Sequence, residues 1–286
     1  MTLVVESAQE LFVHCERARR EGERVGFVPT MGALHDGHIS LVEGARRHGA
    51  TFSVMSIFVN PLQFGPTEDF TRYPRTFEAD LARCRAAEVD LVYAPAPSAM
   101  YPDGFQTQVQ LAHLTSRLEG SFRPDHFAGV CTVVLKLWNA VGSCVSLFGR
   151  KDYQQWRVLS RLAQDLDLPV EVIGADIVRE PDGLGMSSRN RYLEPSTRER
   201  ALAIANGLRS AHDAYAKGER SPAALAALAR GLIEPAFDRI DYVECVDSLT
   251  LEPLAAPVER MVILVAAHLG TTRLIDNLEL GRDRRP

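Results

Sequence analysis

Along this 286-residue chain, runs of apolar residues with strand character alternate with stretches whose apolar positions recur at helical spacing. Ser7-Ala8-Gln9-Glu10 has capping-box spacing, in which hydroxyl and carboxylate each satisfy a backbone N–H at a helix start. It opens a predicted helix to about Glu21, with Leu11, Phe12 and Cys15 available for its apolar face. The short β-branched run from Val25 to Val28 predicts a strand, and Leu41, Val42 and Ala45 predict the helix behind it. The pattern repeats with a strand over 51–59 that stops at Asn60-Pro61, a helix over 76–87, and a short strand over 89–93 closed by Pro95 and Pro97. Residues 98–126 read as a long irregular connection. A buried helix is predicted over 127–141, a strand over 144–148, a helix over 153–166 and a strand over 170–173.

Strands that alternate with helices form a parallel sheet, because each crossover needs a helix to return the chain. The expected fold class is therefore α/β, a Rossmann-like doubly wound parallel sheet. Ligands of such sheets bind beyond the carboxyl ends of the strands, which places residues 29–40 and 60–64 around one crevice. After residue 173 the alternation stops. A loop over 179–193 leads into two Ala/Leu/Arg-rich helical segments, 195–216 and 221–233, then two β-rich runs, 240–246 and 261–267, and a polar tail. This predicts a smaller C-terminal α+β domain, with the boundary near Gly183, giving domains 1–183 and 184–286.

Composition narrows the function classes. The apolar content of 46% and charged content of 24% are ordinary for a globular protein, and no run approaches the ~18 apolar residues of a membrane span. The first twenty residues lack the order of a signal peptide, so a cytoplasmic location is expected. Five scattered cysteines without a Cys-x-x-Cys pair argue against a disulfide framework and a zinc site, and read as buried thiols. A net charge of −5 gives no support to a nucleic-acid surface. Among 32 basic residues only Lys136, Lys151 and Lys217 are lysine, which hints that a lysine is kept for its compact charge.

Four stretches carry candidate chemistry. Pro29-Thr30-Met31-Gly32-Ala33-Leu34-His35-Asp36-Gly37-His38 runs from a strand into a helix start, where unpaired N–H groups and the helix dipole favour a phosphate. His35 and His38, three apart, can point the same way and donate to negative oxygens. In Phe58-Val59-Asn60-Pro61-Leu62-Gln63-Phe64, amides beside aromatic rings suit a small polar acid. In Gly149-Arg150-Lys151-Asp152-Tyr153-Gln154-Gln155, Lys151 can neutralise phosphate oxygens, Asp152 can meet a substrate hydroxyl or a metal-bound phosphate, and Gln155 can bond a substrate; a plain charged helix start fits equally. Gly185-Met186-Ser187-Ser188-Arg189-Asn190-Arg191 offers two hydroxyls and a guanidinium to a triphosphate, or is a polar linker.

The His-x-Gly-His turn after a strand resembles the signature of the nucleotidyltransferase superfamily. With Tyr-Pro-Arg-Thr at 73–76, His-Phe-Ala-Gly-Val at 126–130 and the other motifs, in this order and spacing, the chain resembles the pantothenate synthetases over residues 26–193. The resemblance implies a homodimeric ATP-dependent ligase of pantothenate and coenzyme A biosynthesis. It would adenylylate the carboxylate of pantoate, release pyrophosphate, and let the amine of β-alanine displace AMP. Mg²⁺ is implied with ATP.

Carried onto this sequence, the resemblance implies ATP contacts at Met31, Gly32, Ala33, Leu34, His35, Asp36, Gly37, His38, Gly149, Arg150, Lys151, Asp152, Val178, Met186, Ser187, Ser188 and Arg189. It implies pantoate contacts at Gln63 and Gln155, with Gln63 also near β-alanine, and His38 as proton donor. The catalytic set is His38, His35, Lys151 and Arg189. Arg150 departs from the pattern, which usually has glutamate there. No protein ligand of Mg²⁺ is fixed by the sequence, although Asp80 and Asp152 are candidates. The alternatives are another His-x-Gly-His enzyme acting on a different small carboxylate, an aminoacyl-tRNA synthetase, which the Gly-Met-Ser-Ser-Arg loop and negative charge disfavour, and a catalytically silent nucleotide binder on the same fold.

Overall fold

A computed structural model describes residues 2–66 and 68–286. Two compact units make up the chain. The first comprises the residues up to Ser116 with Arg123–Arg150 and Gln155–Ala175; the second comprises Arg117–Phe122, Lys151–Gln154 and Asp176–Pro286. The last passage from one unit to the other thus follows Ala175, where the sequence reading set a boundary near Gly183.

The first unit holds six parallel strands: β1 (Leu3–Val5), β2 (Val25–Thr30), β3 (Phe52–Ile57), β4 (Leu91–Tyr93), β5 (Cys144–Gly149) and β6 (Val170–Ala175). Their spatial order is β1-β4-β3-β2-β5-β6. From β2 the chain builds outward through β3 and β4, then returns to the other side of β2 with β5 and β6. The order reverses between β2 and β5, and such a switch point is where open α/β sheets bind ligands.

Alternate residues of the same strands enter two different cores. Phe27, Val54, Leu91 and Tyr93 pack with Leu11 and Cys15 of α1 (Ala8–Arg20) and with Val134, Leu137 and Trp138 of a later, largely buried helix, His126–Val141. Val28, Met55 and Val92 pack with Leu41, Val42 and Ala45 of α2 (Asp36–Arg47) and with Leu81 and Cys84 of α3 (Phe77–Ala86). Helices on both faces make the sheet doubly wound, and strands buried on both faces are why its members read as nearly continuous apolar runs. Strand β1, three residues long, is too short to show that pattern. All five cysteines are free and buried, and burial pushes the thiols of Cys15, Cys131, Cys144 and Cys245 up to about 12.

The connection over 98–126 is more structured than expected. It follows or contains α4 (Pro97–Met100) and α5 (Glu119–Phe122), and the helix after it is α6 (His126–Val141), with α7 (Tyr153–Asp165) between β5 and β6. Within the second unit, Glu119 accepts from Tyr242 Oη at 2.6 Å and from Arg273 Nη1 at 2.7 Å.

The second unit has an antiparallel sheet, β7 (Arg239–Asp247), β8 (Met261–Leu269) and β9 (Thr272–Glu279), covered by α9 (Ala203–Ala216) and α10 (Pro222–Ile233) after a short α8 (Pro195–Ala201). Ile204, Leu208, Leu225 and Ile233 meet Val243, Ile263, Val265 and Leu274 in its core. Two expectations are corrected here. The segment 195–216 is two helices that meet at Leu202, and a third strand, β9, lies where only two β-rich runs were predicted. β9 escapes the hydrophobic pattern because it buries Asp276, whose carboxylate is held by Arg179 at 2.6 and 3.1 Å, and Asn277, which donates to the Lys151 carbonyl at 2.9 Å.

Candidate active site

Beyond the last residue of β2 the chain turns sharply enough to demand left-handed backbone, at Gly32 (φ +81°) and at Ala33 (φ +50°). For alanine that conformation costs about 1–2 kcal/mol. It is held by Asp80 of α3, which is 2% exposed: Oδ2 accepts from Ala33 N at 3.0 Å, and Oδ1 accepts from Leu34 N at 2.7 Å. The Thr76 hydroxyl also donates to Asp80, at 3.2 Å, and Thr30 Oγ1 accepts from Gly32 N at 3.2 Å while donating to the Ser56 carbonyl at 2.7 Å. Asp80, a candidate for Mg²⁺, is thus bonded to the turn. Leu34 is buried in the core, so any contribution it makes to a ligand comes from its backbone.

The turn delivers both histidines to the first turn of α2, where His35 is the N-cap residue. Their ring centroids lie 4.0 Å apart. His38 Nδ1 accepts from the backbone N–H of His35 at 3.2 Å. A nitrogen that accepts carries no hydrogen, so the neutral ring carries its hydrogen on Nε2. Burial of the ring, with the charges of His35 and Arg83, pushes the His38 pKa from 6.5 down to about 3. Asp36 is exposed and pairs with Arg83 at 2.8 Å.

This shift fixes the sign of a pH effect. Between 6.5 and about 3 the unfolded chain takes up a proton at His38 that the folded chain refuses. Stability is therefore fully present above the unfolded value and lost as pH falls through that window. In urea titrations at pH 7 and pH 5, wild type is expected to lose more stability on acidification than His38→Gln. An equal loss in both would show that His38 is not responsible.

A second loop follows β3. Asn60, 1% exposed, accepts at Oδ1 from Leu62 N (3.3 Å) and Tyr101 Oη (2.8 Å), and donates from Nδ2 to the Gly129 carbonyl (3.1 Å) and to Gln63 Oε1 (3.1 Å). An N–H can only donate and a carbonyl can only accept, so these partners fix which way each amide faces, and Gln63 is left with Nε2 to offer. Helix α6 comes unusually close to this loop: a Cβ added at Gly129 would lie 2.1 Å from the Leu62 oxygen. The glycine of the motif His-Phe-Ala-Gly-Val is explained by this approach. At the end of β5, Gly149 is half-buried and Arg150 is 1% exposed, its guanidinium enclosed by protein; Gln155, in the first unit, is half-buried.

In the second unit, Lys151 is half-buried and Asp152 exposed, and among the described residues neither side chain has an ion-pair partner. The adjoining turn is braced: Tyr153 Oη donates to the Ser248 carbonyl at 3.1 Å, and Gln154 accepts from Glu119 N at 3.0 Å while donating to the Arg117 carbonyl at 2.9 Å. The expected loop 179–193 is a fixed hairpin. Met186 N donates to the Val178 carbonyl at 2.9 Å and Arg179 pairs with Gly185 in a β-bridge, which brings two predicted ATP contacts, Val178 and Met186, side by side. Asn190 donates to the Gly185 carbonyl (3.0 Å) and to Glu180 (2.6 Å), and Arg198 holds both Glu180 and Asp182 at 2.6 Å. Ser187 caps a 3₁₀ turn, Ser188–Tyr192, by accepting from Arg189 N at 3.3 Å; Ser188 is buried and Arg189 half-buried.

The predicted residues therefore divide between the units: 31–38, Gln63, Gly149, Arg150 and Gln155 belong to the first, and Lys151, Asp152, Val178 and 186–189 to the second. Sequence reasoning missed the residues that hold these stretches in shape. Asp80 appeared only as a metal candidate and His126 only as a letter in a motif. Their value lies in backbone partners 46 and 63 positions away, which no local pattern reveals.

Comparison with known proteins identifies the family. The chain matches the pantoate–β-alanine ligase family over residues 3–279. It is 52% identical over 266 residues to a pantothenate synthetase of Myxococcus xanthus, covering 92% of this chain and 91% of that one. The crystal structure of pantothenate synthetase from Thermus thermophilus superposes with a TM-score of 0.92 at 45% identity, covering 97% of this chain and 99% of that one. A pantoate–β-alanine ligase from Francisella tularensis, solved with β-γ ATP and β-alanine, gives 0.81 at 30% identity, covering 98% of each chain. With a doubly wound sheet, a histidine turn at the switch-point strand, and similarity that runs nearly end to end, this chain belongs to the pantoate–β-alanine ligase family.

Proposed function

We propose that this chain joins pantoate to β-alanine at the expense of ATP, the step that yields pantothenate for coenzyme A synthesis. The observation that carries the reading is the pair His35 and His38, 4.0 Å apart at the start of α2, in a chain that matches the ligase family over residues 3–279. A carboxylate oxygen of pantoate attacks the α-phosphorus, the bond to the bridging oxygen breaks, and pyrophosphate leaves. The amine of β-alanine then attacks the acyl carbon, AMP departs with the former carboxylate oxygen, and the amine loses a proton. Such transfers demand positioning and charge stabilisation more than covalent help.

In this reading His38, whose ring hydrogen is on Nε2, and His35 stabilise charge on the departing pyrophosphate. Lys151 neutralises phosphate oxygens, and Ser187, Ser188 and Arg189 clasp the leaving group. Residues 31–37, 149–152, 178 and 186 contact the nucleotide; Gln63 and Gln155 hold pantoate. The residues proposed to contact ATP belong to both units.

Among the described residues no group of three or more His, Cys, Asp or Glu could hold a metal, and Asp80 is engaged by the turn. Mg²⁺ is proposed to enter as the ATP complex, keeping its waters and phosphate oxygens. Family membership also supports a homodimer, which sedimentation would measure, and a cytoplasmic location; among the described residues no helix is long and apolar enough to cross a membrane.

The test is exchange of labelled pyrophosphate into ATP with β-alanine omitted. Exchange that requires pantoate is expected. If folded, ATP-binding protein shows none with pantoate but does with another small acid, the substrate assignment fails; if it shows none with any acid, the adenylate mechanism fails.

A further inference from the structure

Outside the proposed contacts, two side chains converge on the backbone carbonyl of one of them, and a third holds one of the two. The carbonyl oxygen of Gln63 lies 2.9 Å from His126 Nδ1 and 3.2 Å from Arg123 Nη2. Arg123 Nη1 lies 3.2 Å from His126 Nε2. Glu68 accepts from Arg123 Nε at 2.6 Å and from Nη2 at 2.7 Å. A guanidinium has only hydrogens to offer, so His126 Nε2 must accept. The ring hydrogen is then on Nδ1, and Nδ1 donates to the Gln63 carbonyl. Each ring nitrogen meets a partner of the right kind, and the carboxylate of Glu68 balances the charge that Arg123 brings. The Arg123 and Glu68 side chains are 16% and 23% exposed, so solvent screens this two-point pair less than a surface one.

The Gln63 carbonyl and the Gln63 side-chain amide are thus each fixed by different partners. His126 and Arg123 hold the first, while Asn60, itself tied to Tyr101 and Gly129, holds the second. A residue pinned at both ends presents Nε2 in one orientation. Binding groups work only when held near the productive geometry, which is the task of the residues behind them.

We propose that His126, backed by Arg123 and Glu68, is a positioning residue for Gln63 and so sets how tightly the carboxylic acid substrate is held. The inference rests on the reading that Gln63 contacts that acid. Loss of the clamp lets the loop shift without removing any group that touches substrate, and displacements of this kind cost on the order of 10- to 100-fold.

Steady-state kinetics with pantoate, ATP and β-alanine varied in turn would test this on four variants: His126→Ala, His126→Asn, Gln63→Ala and the double variant Gln63→Ala/His126→Ala. His126→Ala is expected to raise KM for pantoate about tenfold or more and to leave KM for ATP within about twofold. His126→Asn, whose amide can place an N–H where Nδ1 stood, should recover most of that loss. In the Gln63→Ala background, removing His126 should add nothing, because the residue it positions is gone. If His126→Ala leaves pantoate KM unchanged while Gln63→Ala raises it, the positioning role is overturned and the Gln63 contact stands. If Gln63→Ala itself has no effect, the underlying reading fails instead. Equal losses toward ATP and pantoate that persist in the Gln63→Ala background would mark His126 as structural only and would also overturn the inference. Should His126→Ala fail to fold, Glu68→Gln, which weakens the grip on Arg123, must give a smaller pantoate-selective rise, and its absence would sink the proposal.

Discussion

His38→Ala is expected to slow pantoate-dependent pyrophosphate exchange by on the order of a hundredfold or more, while the protein stays folded and still binds ATP. The size follows from what the ring is set up to do. His38 Nδ1 is occupied by the His35 amide, so Nε2–H is a donor whose direction is fixed before any ligand arrives. Preorganised donors aimed at developing charge need no reorganisation during reaction, and the charge here grows on the oxygen that bridges to the departing pyrophosphate. A depressed pKa, about 3, means the ring donates as neutral imidazole in the free protein. The same variant should shift ATP affinity far less than rate, because most proposed nucleotide contacts are elsewhere. Isothermal titration with a non-hydrolysable ATP analogue, set beside the exchange assay, separates the two. An affinity loss as large as the rate loss would assign His38 to binding alone.

Gly129→Ala should be the most damaging single-methyl change in the first unit. The added Cβ would stand 2.1 Å from the Leu62 oxygen, 2.4 Å from the Leu62 carbonyl carbon and 2.7 Å from the Gln63 nitrogen. All three are backbone atoms, so no flexible side chain can swing away. Either the start of α6 or the loop carrying Gln63 must move, and moving it breaks the Asn60 to Gly129 hydrogen bond and the His126 clamp together. The expected destabilisation is at least about 3 kcal/mol, at the upper end for overpacking because two backbones collide. Chemical denaturation would measure it. In any folded fraction, KM for pantoate should rise more than KM for ATP. A stable Gly129→Ala protein with unchanged kinetics would mean that α6 and the loop can part at little cost.

Much of the fold was legible because the physics behind it is local. A parallel sheet buried on both faces must be written as apolar runs such as Val25 to Val28, and its crossovers as helices, so the α/β class followed from periodicity. The smaller antiparallel unit was legible where its strands are apolar, as in Met261–Leu269, and illegible where β9 buries Asp276 and Asn277 against partners elsewhere in the unit. Leu202, where α8 and α9 meet, carries no helix-breaking letter, so the segment read as one helix.

The chemistry divides in the same way. Sequence alone determined which groups are available: two histidines three apart at a helix start, Gln63 after a strand that ends in Asn60-Pro61, and Lys151, Ser187, Ser188 and Arg189 on glycine-bearing turns. Only tertiary structure decided how those groups are held. Asp80 stabilises the left-handed Ala33, the His35 amide fixes the His38 tautomer, Asn60 fixes the Gln63 amide, and His126 takes its carbonyl. The reason is that side-chain identity is a local property of the chain, whereas hydrogen-bond satisfaction and close backbone approach depend on residues that are distant in sequence and become neighbours only when the sheet and its helices pack.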